Sequence, residues 1–149
     1  MRRIIKHHSE LLVPGVMKSV IPDIAKMSES LRSTLSKNAV IVLNELVSTM
    51  KRNFDSSFDL VFSKLIKKAL DANSFISEEV KKALTCICSN CNETKVLNSL
   101  TMSHTSRAIP IKIAVVNILE GITFLPRFYD KELERIIVIL NNFMNEGSL

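Results

Sequence analysis

The sequence predicts an all-α protein, an α-solenoid of about three and a half helix pairs, with a globular helical bundle as the structural alternative. Three observations carry this. Only 3 Gly and 4 Pro occur in 149 residues, whereas a β-sandwich or barrel needs turn residues every ~8–12 positions. The chain is 46% hydrophobic but only 5% aromatic, with no Trp, so its core is aliphatic and large enough to exclude disorder. Polar breaks fall near residues 29, 53, 73, 92, 105 and 127, so helix pairs recur about every 40 residues, the period of stacked helical repeats.

The elements follow in order. Residues 2–9 read as the end of a helix. Pro14 and Gly15 mark a turn, and Pro14 suits the first helical position, where its missing N–H costs nothing. The next helix runs to about residue 28, with Val16, Val20, Ile24 and Met27 on one face and Pro22 expected to kink or split it. After Ser28-Glu29-Ser30 comes a helix over 31–52, with a main stripe of Leu35, Ala39, Val42, Leu46 and Met50 widened by Leu43 and Val47. Asn53 ends it and Asp55 is the expected cap of the next, over 56–71, with Phe58, Val61, Phe62, Leu65 and Ala69 inward. Ser77, with Glu78 and Glu79, reads as a helix start, and Val80, Leu84 and Ile87 form its stripe to residue 90. A shorter helix spans 93–102, then Ser103-His104-Thr105-Ser106 reads as a polar loop. A buried-looking helix spans 108–125 until Pro126 stops it. The last spans 130–145 with Leu133, Ile136, Ile137 and Leu140 inward, and residues 146–149 read as a frayed end.

Composition narrows the function. The net charge of +5 and pI near 9.2 suit an acidic partner, and the mean hydropathy of +0.19 suits helices buried on several sides or a surface that meets a partner. The three cysteines, Cys86, Cys88 and Cys91, are an odd number in one short cluster, which points to a reducing compartment and to packing as small hydrophobes. A zinc site wants four ligands. His7 and His8 are adjacent and project apart on a helix; no catalytic triad, carboxylate pair or glycine-rich phosphate loop can be assembled with His104 or the scattered glycines. We therefore expect no enzyme, no metal and no cofactor. No apolar run approaches the ~18 residues of a membrane span, and the basic start is short and interrupted by Glu10, unlike a presequence. Nucleic acid is not expected either, because stacking aromatics and a concentrated basic stripe are missing.

Four segments then suggest a family. Leu31-Arg32-Ser33-Thr34-Leu35-Ser36-Lys37-Asn38-Ala39-Val40 resembles the start of a second helix in TOG domains, HEAT-repeat modules of the CLASP type and of the axonemal TOG-array regulators. Asn73-Ser74-Phe75-Ile76-Ser77-Glu78-Glu79-Val80-Lys81-Lys82-Ala83-Leu84 resembles the next repeat of the axonemal group. Ser106-Arg107-Ala108-Ile109-Pro110-Ile111-Lys112 is similar to a CLASP turn, and Ile4-Ile5-Lys6-His7-His8-Ser9-Glu10-Leu11 to the helix tail before these repeats. Order and spacing agree over nearly the whole chain.

The resemblance implies one TOG-like HEAT-repeat domain over residues 1–149, partial because the family's six repeats begin upstream of where this chain starts. It implies binding of tubulin or microtubules through the loops within each repeat, in cytoplasm, cytoskeleton or ciliary axoneme. The matched loops are Glu29, Ser30, Leu31 and Arg32; Asn73, Ser74 and Phe75; and Arg107, Ile109, Pro110 and Lys112. The family's tubulin-contacting tryptophan lies in a first repeat, and this chain has no Trp. The alternative is a HEAT-like scaffold for another protein that does not bind tubulin. An open solenoid end exposes apolar surface, so self-association is expected at the N-terminal end.

Overall fold

The computed structural model describes residues 1–123, Leu125 and 133–145. These residues form eight α-helices: α1 (Arg2–His7), α2 (Pro14–Ser28), α3 (Ser33–Met50), α4 (Phe58–Lys68), α5 (Ser74–Asn90), α6 (Glu93–His104), α7 (Ile109–Thr123) and α8 (Leu133–Asn145). Two 3-10 turns, Ser9–Leu11 and Lys51–Phe54, lie between them. Among the described residues there is no strand.

Packing sorts the helices into two layers. Helix α3 lies between α1 and α5, and α5 meets α7; in the other layer α2 meets α4, α4 meets α6 and α6 meets α8. Each even helix runs into an odd one through a short turn, so α2–α3, α4–α5 and α6–α7 are the helix pairs of a solenoid. The core lies between the layers. Val40, Leu43, Leu46 and Val47 of α3, Phe58, Val61 and Leu65 of α4, and Val80, Leu84 and Ile87 of α5 are fully buried there. Each such side chain contributes about 1.5–3 kcal/mol.

The elements stand where the breaks placed them, with local differences that have local causes. Pro22 sits inside α2 without splitting it. Helix α5 starts at Ser74, three residues before the expected Ser77, because Asn73 Oδ1 accepts the Phe75 N–H at 3.1 Å and caps it. Asp55 does not cap α4; its Oδ1 accepts the Asn92 N–H at 2.8 Å. Lys95 Nζ donates to the Asp55 carbonyl at 2.9 Å, and Arg52 pairs with Glu93. Asp55 thus ties the α3–α4 turn to the α5–α6 turn, along the edge opposite the turns within pairs.

Two expected stripes are rotated and one is trimmed. In α2, Val16 and Met27 are exposed and Val20 is half-buried, while Met17, Ile21, Ile24 and Ala25 face the core. In α3, Ala39, Leu43, Leu46, Val47 and Met50 are buried as expected, but Leu35 is exposed, Val42 is half-buried, and Ser36 and Val40 are buried. In α8, Ile136, Ile139 and Phe143 face inward, while Leu133, Ile137 and Leu140 are exposed. His104 belongs to no polar loop: it ends α6, is buried, bonds Thr101 O through Nδ1 and Asn142 Nδ2 through Nε2, and meets the Phe143 ring edge-on at 6.1 Å. Cys88 and Cys91 are buried in the core and Cys86 is half-buried. Pro126 as a stop, Asp130 as a start and the tail at 146–149 lie outside the described residues.

Candidate functional site

Because the layers alternate, the turns α2–α3, α4–α5 and α6–α7 fall on one edge of the stack. Contacts between neighbouring pairs confirm their alignment. Lys64 of α4 reaches back to pair with Glu29 of the first turn. Lys37 of α3 places its ammonium 5.4 Å from the centre of the Phe75 ring at the start of α5. Pro110 of α7 shares a groove with Ala69, just after α4, and Ser77 of α5.

The three turns are built by one device. A short polar side chain three residues before each odd helix accepts the backbone N–H two residues on. Ser30 Oγ accepts from Arg32 N at 3.2 Å, Asp71 Oδ1 from Asn73 N at 2.9 Å, and Ser106 Oγ from Ala108 N at 3.2 Å. Such side chains mimic a backbone turn and satisfy an N–H that the coming helix leaves over. The motif therefore sets Leu31, Ala72 and Arg107 at equivalent places, followed by Arg32, Asn73 and Ala108.

Around this frame the turns differ. The first is braced by buried hydroxyls: Ser28 Oγ donates to Ala25 O and Ser36 Oγ to Ser28 O, each at 2.6 Å. That bracing leaves Leu31 as exposed as in an extended chain, at 103%, next to exposed Arg32. In the second turn Lys68 pairs with Asp71 at 2.7 Å. That pair, and then the Asn73 N–H, hold the Asp71 carboxyl below its ordinary pKa. Asn73 caps the helix, Ser74 is its first residue, and Phe75 stands exposed at 68%. In the third, Arg107, Ile109 and Pro110 are exposed and Lys112 is half-buried one turn into α7. The edge thus presents an apolar knob at each turn (Leu31, Phe75, Ile109), set among Arg32, Lys37, Arg107 and Lys112. Glu29, also exposed, is paired with Lys64, and Arg32 stands exposed beside Leu31.

All eight expected site residues, Glu29, Ser30, Arg32, Asn73, Ser74, Phe75, Arg107 and Lys112, lie on this edge. Sequence reasoning missed Asp71, the acceptor of the second turn, and the two long-range contacts Lys64–Glu29 and Lys37–Phe75. Its signal was a short polar residue at the same offset before each odd helix.

The family model for the CLASP N-terminal region matches residues 1–128, most of the described solenoid. The chain belongs to the CLASP N-terminal family. Its all-helical stack of pairs is the HEAT-repeat architecture of that family. Relatives include TOG array regulator of axonemal microtubules protein 1 of Mus musculus and of Homo sapiens, each 31% identical over 93 residues, 62% of this chain and 5% of theirs. Protein peg1 of Schizosaccharomyces pombe is 30% identical over 77 residues, 52% of this chain and 5% of its own. The CLASP-family chain thus matches about 5% of the length of these relatives. No solved structure matches it. Among the described residues no helix is long and apolar enough to cross a membrane.

Proposed function

We propose that this chain is a non-enzymatic, TOG-like microtubule-binding domain, and that the edge of three turns is its tubulin-contacting surface. One observation carries the reading: the same side-chain device sets three turns in register on one edge, each presenting an apolar knob with cations around it. Apolar contact gives such a surface affinity, and its cations orient it on an acidic partner. Family membership supports the partner class, and two relatives are named for axonemal microtubules. We extend that setting, cytoskeleton and cilium, to this chain. Glu29, Ser30, Asn73 and Ser74 shape the turns; Arg32, Phe75, Arg107 and Lys112 meet the partner.

The test is cosedimentation with tubulin and with preformed microtubules across a salt series, beside Arg32→Ala/Arg107→Ala. Both residues are exposed, so the variant keeps its helical circular dichroism. Binding that weakens with salt and drops at least tenfold in the variant is expected. Absence of binding at low salt overturns this reading in favour of a HEAT-like scaffold for another protein.

A further inference from the structure

Phe75 stands apart from the other aromatic residues. Among the described residues Phe54, Phe58, Phe62 and Phe143 are at most 4% exposed, whereas Phe75 is 68% exposed. A ring left in water forgoes the stabilisation that burial gives its counterparts. Its place is nevertheless fixed. The Phe75 N–H donates to Asn73 Oδ1 at 3.1 Å, and Ile76, next in the chain, is buried. Cap and core thus hold the backbone beneath the ring. What they leave free is the torsion of the side chain, and there Lys37 meets it.

Lys37 belongs to the neighbouring helix pair. Its ammonium lies over the ring, 5.4 Å from the centroid, inside the ~6 Å at which a cation is drawn to an aromatic face. Lys37 is half-buried, and among the described residues it pairs with no carboxylate. Its own backbone is fixed one residue away, where Ser36 Oγ donates to Ser28 O at 2.6 Å behind the first turn. The contact therefore runs from the braced first turn to the knob of the second. Lys37 takes one face of the ring, and the ring stays largely exposed. Leu31 and Ile109, the knobs of the other two turns, offer a cation no ring.

We propose that Lys37 is a positioning residue: its ammonium holds the Phe75 ring in one orientation, so that the ring meets tubulin already ordered. The inference rests on the tubulin reading of the edge and deepens it, giving Lys37 a role other than direct contact. A side chain ordered beforehand loses less freedom on binding, and aromatic residues are favoured anchors at interfaces. An exposed cation–ring contact shifts the ring's populations about two- to fivefold, which sets the size of the effect.

The test joins NMR of the free 149-residue chain to tubulin cosedimentation, with Lys37→Met, Lys37→Arg, Phe75→Leu and Lys37→Met/Phe75→Leu, each checked for fold by circular dichroism. Met keeps the stem of Lys37 without its charge, and Leu keeps an apolar knob without the ring. In the free wild type the Lys37 Cε protons should be shifted upfield by the ring, and that shift should vanish in Phe75→Leu. The two Phe75 β-proton couplings should be unequal in the wild type and averaged in Lys37→Met. Tubulin binding should weaken about two- to fivefold in Lys37→Met and persist in Lys37→Arg. In the Phe75→Leu background Lys37→Met should cost nothing further. Unshifted Lys37 protons overturn the proposal, as does a wild type that binds while Lys37→Met binds equally well. So does an equal loss in both backgrounds, which would make Lys37 a direct charge contact. A wild type that shows the Lys37 shift but binds no tubulin overturns the tubulin reading, and the role given to Lys37 falls with it.

Discussion

At the scale of a residue, Lys51 is the clearest case of local geometry working against its side chain. It follows the last residue of α3 with φ 48° and ψ −123°, among the described residues the one non-glycine with positive φ. A Cβ in that region costs on the order of 1–3 kcal/mol. The conformation persists because the Lys51 N–H closes α3 on Val47 O and Phe54, three residues on, is fully buried. Glycine would relieve the strain and give back about 0.5–1 kcal/mol through its freer unfolded chain. Lys51→Gly should therefore raise stability by roughly 1 kcal/mol, a rise of about 2–4 °C in melting temperature for a chain of this size. A lower melting temperature would show that Lys51 carries no strain.

Among elements, α5 and α7 approach closely at Gly121. A Cβ on Gly121 would come within 2.7 Å of Thr85 Cγ2, inside any normal contact. Thr is stiff at its first side-chain torsion, so Gly121→Ala must turn Thr85 or part the helices, costing about 1–3 kcal/mol. The helix preference of Ala over Gly, about 1 kcal/mol, opposes this. With Thr85→Ala the clash is gone, since the next atom, Thr85 Cβ, lies at 3.9 Å. Chemical denaturation should find Gly121→Ala less stable than the parent, yet Thr85→Ala/Gly121→Ala more stable than Thr85→Ala by about 1 kcal/mol. Additive effects would mean that Gly121 is not there to let α5 and α7 close. The same logic of neighbours explains α8. Its Ile136, Ile139 and Phe143 stripe follows the side on which α6 lies, and the second stripe is left outward.

For the whole molecule, stability is centred on α3, packed within its layer against α1 and α5 and across the core against α2. Leu43 is fully buried there, whereas Leu60 on the outer side of α4 is 40% exposed. Leu43→Ala should cost about 2–5 kcal/mol and Leu60→Ala within about 0.5 kcal/mol, read from urea midpoints. Equal costs would contradict a core between two layers. The opposite edges of the stack also differ in kind. The edge of turns between pairs is tied across by Arg52–Glu93 and by Asp55 with Asn92 and Lys95. The edge of turns within pairs spends most of its polar groups inside each turn, with Lys64–Glu29 reaching across, and leaves Leu31, Phe75 and Ile109 outward. One edge consolidates the stack and the other is available for contact.

The sequence by itself determined the helical class, the pairing period and the position of nearly every turn. These are local properties: apolar spacing repeats with the helix, and Asn, Asp and Ser interrupt it by bonding their own backbone. The candidate edge was legible for the same reason, since turns that recur with the pair period must align. Only the tertiary structure decided which side of each helix is buried. A helix in a two-layer stack has neighbours on several sides, so its apolar surface is broad and periodicity cannot say which part meets a neighbour. Val16, Met27 and Leu35 were therefore misread as core, and Leu133, Ile137 and Leu140 with them. Likewise Asp55 and His104 were read from their own turns, while their partners Asn92 and Asn142 lie far along the chain. A buried polar atom goes to whatever donor the packing brings near, and that is settled by the stack.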